Sequence, residues 1–237
     1  MQRYFVKYNN QDIEFLESDI HHITNVMRFK VGDEIEIVLE EKAYLVAIDN
    51  LHPLKVHIVN PILNDSELPY DFRVYFPLTK SDKAELVVQK LTEIGVSEII
   101  FYRASRSVVK LTNEDFNKKR ERYKKIAKEA SEQCHRLKVL DISDLINFKD
   151  IKDHLASINL LAYEMDAGKT SSLYRELDNI NGSISLIVGP EGGLSEDEVS
   201  YLTSLNFKRV SLGKRILRCE TAAIYGASVI SSYIEQK

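Results

Sequence analysis

The sequence predicts an α/β protein in which a small β-rich domain precedes a larger domain of alternating strands and helices. Residues 1–68 contain short segments rich in Val, Ile and Tyr, separated by turn residues, which is typical of strands. From residue 72, apolar runs alternate with amphipathic helical patterns, which indicates a mainly parallel sheet. The intervening NPILNDSELPYD carries two prolines and reads as a linker. We therefore expect two domains, 1–68 and 72–237.

The first domain is expected to be a small barrel with one helix. Its helix is predicted from SDIHHITNVMRF, with Ser18 as the N-cap, and Gly32-Asp33 turns the chain after it. Its strands are predicted from MQRYFVKY, DEIEIVLE, KAYLVAID and KVHIVN.

The second domain is expected to hold five strands and four helices. Ser81 is predicted to cap the first of these helices, which Gly95 ends, and Ser195 to cap the third, where acids in the first turn suit the helix dipole. The predicted strands are FRVYFPL, SEIIFY, INLLAYE, SISLIVG and KRVSLG. The predicted helices are SDKAELVVQKLTEIG, residues 115–136, SEDEVSYLTSL and ETAAIYGASVISSYIEQ.

Composition excludes several classes of protein. With 44% hydrophobic residues the 237-residue chain can bury a sizeable core, and a net charge of −4 does not indicate a nucleic-acid binder in bulk. The two cysteines, Cys134 and Cys219, are far apart, and the six histidines form no ligand pattern around them. We expect no metal, no disulfide and a reducing compartment. The N-terminus has no apolar signal core and no run is long enough to span a membrane, so a cytoplasmic protein is expected.

A glycine-rich turn follows the strand SISLIVG. In VGPEGGLSEDE the glycines Gly189, Gly192 and Gly193 match neither the dinucleotide fingerprint nor the phosphate-binding P-loop, and no lysine follows. Glu191 would repel a phosphate at close range. Spacing alone leaves two interpretations open, a ligand-binding turn and a tight strand–helix connection without a ligand.

A second candidate segment is SLGKRILRCETA, residues 211–222. Two glycine-bearing strand ends suggest one pocket at the carboxyl edge of the sheet, where open α/β sheets bind ligands. Arg215 is interpreted as a solvated loop charge. Arg218, between Leu217 and a helix start, is the better functional candidate, and Glu220 could serve the helix dipole.

Basic residues cluster between Lys118 and Lys138, where nine Lys or Arg residues stand against three Glu. Such a stripe suits nucleic-acid phosphates, although a solvated helix face explains it equally well. Arg103 and Arg106, in RASRSVVK, could form a further anion contact.

Taken together, these motifs resemble the RsmE family of ribosomal RNA methyltransferases, which methylate N3 of a uridine in 16S rRNA with S-adenosylmethionine. The pair GPEGG and LGKRILRCETAA carries most of the resemblance. Supporting motifs lie in the expected order along nearly the whole chain: HHITNVMRFKVGDEI, KLTEIGVSEI, SRSVV and EASEQCHR. Two positions depart from the family pattern, where Cys219 replaces a usual Thr and Cys134 a usual Ser, and neither cysteine is expected to be catalytic.

The resemblance implies a SPOUT-type α/β domain with a deep trefoil knot, preceded by a PUA-like β-barrel. It also implies a homodimer that acts on 16S rRNA of the small ribosomal subunit. The implied catalytic residues are Arg218 and Glu220. The implied cofactor-binding residues are Leu161, Tyr163, Val188, Gly189, Glu191, Gly192, Gly193, Ser211, Leu212, Gly213, Ile216 and Leu217. The implied RNA-binding residues are Arg28, Arg106, Arg122, Lys124, Lys128 and Arg136.

Three alternatives remain at this point. A SPOUT RNA methyltransferase with a different target nucleotide would keep the fold and the cofactor. A non-catalytic RNA-binding or ribosome-assembly protein would not need the intact GPEGG and RILR segments. A phosphate-binding nucleotide enzyme is disfavoured by Glu191 and by the missing lysine.

Overall fold

The computed structural model describes residues 1–9, 12–166, 168, 172–178 and 180–237. They divide into two compact units. The first comprises Met1–Glu67 and Lys128–Lys138, and the second comprises Leu68–Ala127 and Val139–Lys237. The segment 128–138, which the sequence assigned to the second domain, therefore clusters with the N-terminal unit.

The first unit contains two small sheets. Its strands are β1 (Arg3–Phe5), β2 (Lys7–Asn9), β3 (Asp12–Glu14), β4 (Glu34–Leu39), β5 (Lys42–Leu51) and β6 (Leu54–Ile62). A four-stranded sheet has the order β1-β4-β5-β6, in which β1 is parallel to β4 and the other pairs are antiparallel. The strands β2 and β3 pair separately as an antiparallel ladder. The predicted strand regions are thus confirmed, and among the described residues they form two sheets.

The helix of the first unit is shorter than predicted. Helix α1 spans Glu17–His21 and continues into a π-helical turn at His22–Val26. The prediction that Ser18 caps it is wrong, because Leu16 occupies the N-cap position and no side chain bonds there. Ser18 lies inside the first turn, and its hydroxyl donates to Asp19 Oδ1 at 3.5 Å.

The second unit is built on a seven-stranded sheet in which every pairing is parallel. Its strands are β7 (Phe72–Pro77), β8 (Glu98–Arg103), β9 (Asp141–Ile142), β10 (Ile146–Asn147), β11 (Ile158–Ala162), β12 (Ile184–Val188) and β13 (Lys208–Val210). The order is β10-β8-β7-β12-β11-β13, with β9 beside β8. All five residues of β12 are buried, as expected of a strand covered on both faces. The mainly parallel sheet is confirmed.

Helices connect and cover these strands. They are α2 (Ser81–Glu93), α3 (Asn113–Gln133), α4 (Leu173–Glu176), α5 (Glu196–Ser204) and α6 (Cys219–Glu235). In α2 the apolar face predicted from the 3.6-residue period is buried, and Gly95 follows the helix with φ of 96°. None of the helices in the described part of the chain is long and apolar enough to cross a membrane.

The two predicted serine caps of this unit have different outcomes. Ser195 accepts a hydrogen bond from the Glu198 backbone N–H at 3.2 Å, and the Glu198 carboxylate accepts from Ser195 N–H at 2.8 Å, which forms a capping box. The Ser81 prediction is wrong, because Ser81 is the first helical residue and Lys80 is the N-cap.

Strand β11 lies between β12 and β13, so the loops that follow these parallel strands meet at one edge of the sheet. The trefoil threading stays a prediction.

Candidate active site

A cavity of about 410 Å³ opens at the carboxyl edge of the parallel sheet. Residues that follow β11, β12 and β13 line it, together with the first turns of α2 and α6. The lining residues are Lys83, Ala162, Tyr163, Glu164, Val188, Gly189, Pro190, Glu191, Gly193, Leu212, Gly213, Arg215, Ile216, Leu217, Arg218, Cys219 and Ala222. Open parallel sheets bind ligands at this edge, and the volume suits a small-molecule ligand.

Most of the predicted cofactor-binding residues line this cavity. They are Tyr163, Val188, Gly189, Glu191, Gly193, Leu212, Gly213, Ile216 and Leu217. Leu161 does not, because it is fully buried in the apolar cluster on one side of the sheet. Ser211 is also buried. Its hydroxyl makes hydrogen bonds to the backbone of Gly213, so it stabilises the loop without lining the cavity. Gly192 is absent from the lining as well.

The glycines of the turn are required by close neighbours. Gly193 has φ of 70°, and a Cβ at this position would overlap Glu164 Oε1. A Cβ at Gly192 would come within 3.0 Å of the Arg106 carbonyl oxygen. The turn is closed by a hydrogen bond of 2.9 Å from Gly193 N–H to the Pro190 carbonyl. The turn can therefore lie this close to Glu164 and Arg106 because neither glycine carries a side chain.

A lysine contacts two acidic side chains of the site. Lys83 Nζ lies 3.1 Å from Glu191 Oε1 and 3.4 Å from Glu220 Oε2. The hydrogen bond to Glu191 raises the pKa of Lys83, so this side chain is cationic at neutral pH. Glu220 Oε2 is buried, and among the described residues it has this ion pair but no hydrogen bond of good geometry. Sequence reasoning missed Lys83, whose only signal is its place at the start of α2, the helix that follows a strand of the same sheet.

Both predicted catalytic residues lie at the start of α6. Arg218 is the N-cap residue, is exposed and lines the cavity. Glu220 is not part of the lining, but its carboxylate contacts Lys83, which is. Arg215, interpreted from the sequence as a solvated charge, also lines the cavity. Burial raises the pKa of the Cys219 thiol well above its ordinary value. This cysteine is therefore a protonated packing residue, as the sequence suggested.

The predicted RNA-binding residues fall into two groups. Arg28, Arg106 and Arg122 are exposed and Lys124 is half-exposed, although Arg122 pairs with Glu85 and Lys124 with Glu121. Arg106 also donates to the Gly192 and Leu194 carbonyl oxygens at 3.5 and 3.4 Å.

The second group is held inside the first unit. Arg136 is 3% exposed and bonds Glu67, and Lys128 bonds Asp19 at 2.8 Å and Glu132 at 2.6 Å. Two carboxylates already hold the Lys128 ammonium, so an incoming phosphate would have to displace them. This geometry disfavours Arg136 and Lys128 as RNA contacts, and their predicted role in RNA binding stays a prediction.

No cluster of three or more His, Cys, Asp or Glu side chains that could hold a metal ion occurs within the described ranges.

Comparison with known proteins agrees with this arrangement. Residues 66–231 match the RNA methyltransferase domain family, and residues 16–59 match the RNA methyltransferase PUA domain family. The fold and the site thus define an RNA methyltransferase with an N-terminal PUA-like domain.

Relatives narrow this class. The chain is 37% identical to ribosomal RNA small subunit methyltransferase E of Bacillus subtilis, over 99% of this chain and 98% of that protein. It is 31% identical to the protein of the same name from Mesomycoplasma hyopneumoniae, over 95% and 96%. The chain belongs to the ribosomal RNA small subunit methyltransferase E family.

Two solved structures resemble the chain over nearly its whole length. One is the Neisseria gonorrhoeae ribosomal RNA small subunit methyltransferase E bound to S-adenosylmethionine, with 25% identity, a TM-score of 0.85 and coverage of 98% of this chain and 97% of that one. The other is a Legionella pneumophila methyltransferase in complex with the same cofactor, with 25% identity, a TM-score of 0.87 and the same coverage.

Proposed function

We propose that this chain transfers a methyl group from S-adenosylmethionine to N3 of one uridine in 16S rRNA of the small ribosomal subunit. The observation that carries the proposal is the cavity at the carboxyl edge of the sheet, formed by the glycine turn and by the loop 212–218. Membership of the methyltransferase E family supports the substrate class, and the motif resemblance supports the uracil nitrogen as the target.

The lining of the cavity fits this cofactor. Val188, Ile216 and Leu217 offer apolar cover to a flat adenine ring, while the glycine backbone exposes N–H and C=O groups that can read the ring edge. The cluster of Glu191, Glu220 and Lys83 contains two carboxylates and one ammonium. The net negative charge of this cluster suits a sulfonium, and the rest of the charged lining consists of Glu164, Arg215 and Arg218. When bound, the cofactor supplies an electrophilic methyl group.

The chemistry on the RNA side requires a cation and a proton acceptor. N3 of uracil carries a proton that must leave, and negative charge builds on the ring and on its O2 and O4 oxygens. Arg218 lines the cavity and is exposed, so its guanidinium can approach these oxygens. Glu220 lies two residues after Arg218 in the chain, and we assign it the role of proton acceptor.

RNA affinity is assigned to exposed cations. In the second unit these are Arg106, Arg122 and Lys124, and in the first unit it is Arg28. The ion pair of Lys124 with Glu121 is largely exposed, and such pairs contribute only about 0–1 kcal/mol, so a phosphate can replace Glu121. At Arg122 a phosphate would have to replace the Glu85 carboxylate, which accepts two hydrogen bonds at 2.6 and 2.7 Å.

We also propose that the protein acts as a homodimer in the cytoplasm, where ribosomal subunits are assembled. An aromatic and aliphatic strip on α4 and α6 supports a self-association surface, since Tyr174 is 59% exposed and Tyr225 is 48% exposed. Sedimentation equilibrium tests this state: a single-chain mass at micromolar concentration would contradict it.

The decisive experiment is methylation of small subunits purified from a strain that lacks the modification, with the product nucleoside mapped by mass spectrometry. We expect N3-methyluridine at one position of 16S rRNA. A methyl group on another nucleotide would identify a methyltransferase with a different target. Binding of rRNA without methyl transfer would support the non-catalytic alternative.

A further inference from the structure

Lys83 is the one cation in the described chain that contacts both Glu191 and Glu220. It belongs to the first turn of α2, Glu191 to the turn after β12, and Glu220 to the first turn of α6. Three elements that are distant in sequence therefore meet at one ammonium group.

The three side chains differ in exposure. The Lys83 and Glu191 side chains are 25% and 32% exposed, so water partly screens their ion pair. Glu220 is different, because its side chain is only 13% exposed and its Oε2 atom makes no hydrogen bond of good geometry among the described residues. A buried carboxylate oxygen is costly without a charged partner. Without Lys83, two like charges would face each other at the wall of the cavity.

The same charges act on the neighbouring thiol. Burial is the main reason that the pKa of Cys219 is raised, the charges of Glu191 and Glu220 raise it further, and Lys83 opposes them. The charges of Lys83, Glu191 and Glu220 thus all act on Cys219, and Lys83 opposes the effect of the two carboxylates.

We propose that Lys83 is a positioning residue for methyl transfer: it fastens the 189–193 turn to the start of α6 and holds the Glu220 carboxylate where it accepts the N3 proton. This inference rests on the proposed function. In the step, the proton passes from N3 to Glu220, the N3–CH₃ bond forms, and the S–CH₃ bond breaks with its electron pair remaining on sulfur. Lys83 takes no proton and forms no bond to substrate.

The first test compares single-turnover methylation of small subunits by three variants. Lys83→Met keeps the length of the side chain without its charge, and we expect the rate to fall about 100-fold. Lys83→Arg restores a cation and should recover most of the rate. Lys90→Met is the matched control, because Lys90 lies on the same helix and pairs with Glu93 away from the cavity, and it should stay near the wild-type rate.

Two further readouts separate positioning from a general structural effect. In Lys83→Met, the acid limb of the pH–rate profile should move to higher pH, because two carboxylates without an intervening cation tend to share a proton. In a Glu220→Gln background, Lys83→Met should cost at least about threefold less than in the wild type, because the two residues act through one contact. Losses that multiply independently, together with an unmoved acid limb, would overturn the proposal.

If the wild type methylates no rRNA, the proposed function is refuted. A measurement of ligand binding then still tests whether Lys83 fastens the turn. S-Adenosylhomocysteine is neutral at sulfur, so its affinity reports the order of the turn without the sulfonium charge. By calorimetry we expect Lys83→Met to weaken its binding about fivefold, and the loss to be smaller in a Glu191→Gln background. Unchanged affinity in Lys83→Met would show that Lys83 does not fasten the turn.

Discussion

The guanidinium of Arg136 and the carboxylate of Glu67 form a buried ion pair within the first unit. Arg136 Nη2 donates to Glu67 Oε2 at 2.8 Å, and Arg136 Nε donates to Glu67 Oε1 at 3.2 Å. The backbone N–H groups of Leu137 and Lys138 donate to the same carboxylate at 2.8 and 3.1 Å. The arginine that the sequence suggested for RNA therefore anchors the end of the segment 128–138.

Glu67→Gln should destabilise the first unit and reduce its sensitivity to acid. Burial alone would raise the pKa of Glu67, but the hydrogen bonds and charge of Arg136, with the two N–H groups, lower it overall below its ordinary value. The stability that this group contributes is present above the ordinary pKa of a glutamate carboxyl and is lost as pH falls through the lower folded-state pKa. We expect a loss of about 3 kcal/mol at neutral pH, since Arg136 stays buried without its partner charge, and a flatter acid limb of the unfolding free energy.

Denaturant unfolding between pH 3 and pH 7 measures this effect. Glu41→Gln is the control, because Glu41 pairs with Lys138 of the same segment but both side chains are more than half exposed. Its cost should stay below about 1 kcal/mol. Equal costs for the two variants would contradict a structural role for the Arg136–Glu67 pair.

Gly193→Ala should weaken cofactor binding about tenfold. A φ of 70° costs a residue with a Cβ about 1–2 kcal/mol, and the new Cβ would also displace the end of the flexible Glu164 side chain at the cavity wall. Gly32→Ala in the first unit introduces similar strain at φ of 91° with nothing within 4 Å, and its cofactor affinity should match the wild type. Calorimetry with S-adenosylmethionine compares them, and an unchanged affinity in Gly193→Ala would show that the turn tolerates a side chain at this position.

Arg218→Ala should lower the methyl-transfer rate about 100- to 1,000-fold while cofactor affinity changes little. The reason is that the guanidinium is assigned to the charge that develops on the base. Single-turnover assays paired with calorimetry separate the two effects. Near-wild-type transfer with normal affinity would exclude a catalytic role for Arg218.

Removing Arg122 and Lys124 together should weaken RNA binding and reduce its dependence on salt. Each lost phosphate contact lowers the slope of log K against log salt by about 0.7 for single-stranded RNA. Binding isotherms at several salt concentrations test this for the double alanine variant. Lys208→Ala removes an exposed, ion-paired cation on β13, outside the stripe, and should leave the slope unchanged. A slope equal to that of the wild type in the double variant would mean that this face of α3 is merely solvated.

Much of the fold was predictable because the spacing of apolar residues along the sequence specifies its strands and helices. The alternation in EIEIVL buries Ile35 and Ile37 on one face of β4, and the 3.6-residue period of α2 buries Val87, Val88 and Leu91. Caps were less predictable, because Ser18, Ser81 and Ser195 all satisfy the same local rule but only Ser195 has a reciprocal partner, Glu198, three residues on. Whether Lys128–Lys138 packs with the N-terminal unit depends on contacts with distant residues such as Asp19 and Glu67, which no local pattern reveals.

The sequence by itself determined the class of the protein, because GPEGG and LGKRILRCETA are compact motifs whose glycines, arginine and acids are informative without coordinates. The tertiary structure alone decided which charges meet. Ion pairs depend on distances of a few ångströms between side chains on separate elements. Only the folded structure therefore shows that Lys83 contacts Glu191 and Glu220, and that Arg136 is buried against Glu67.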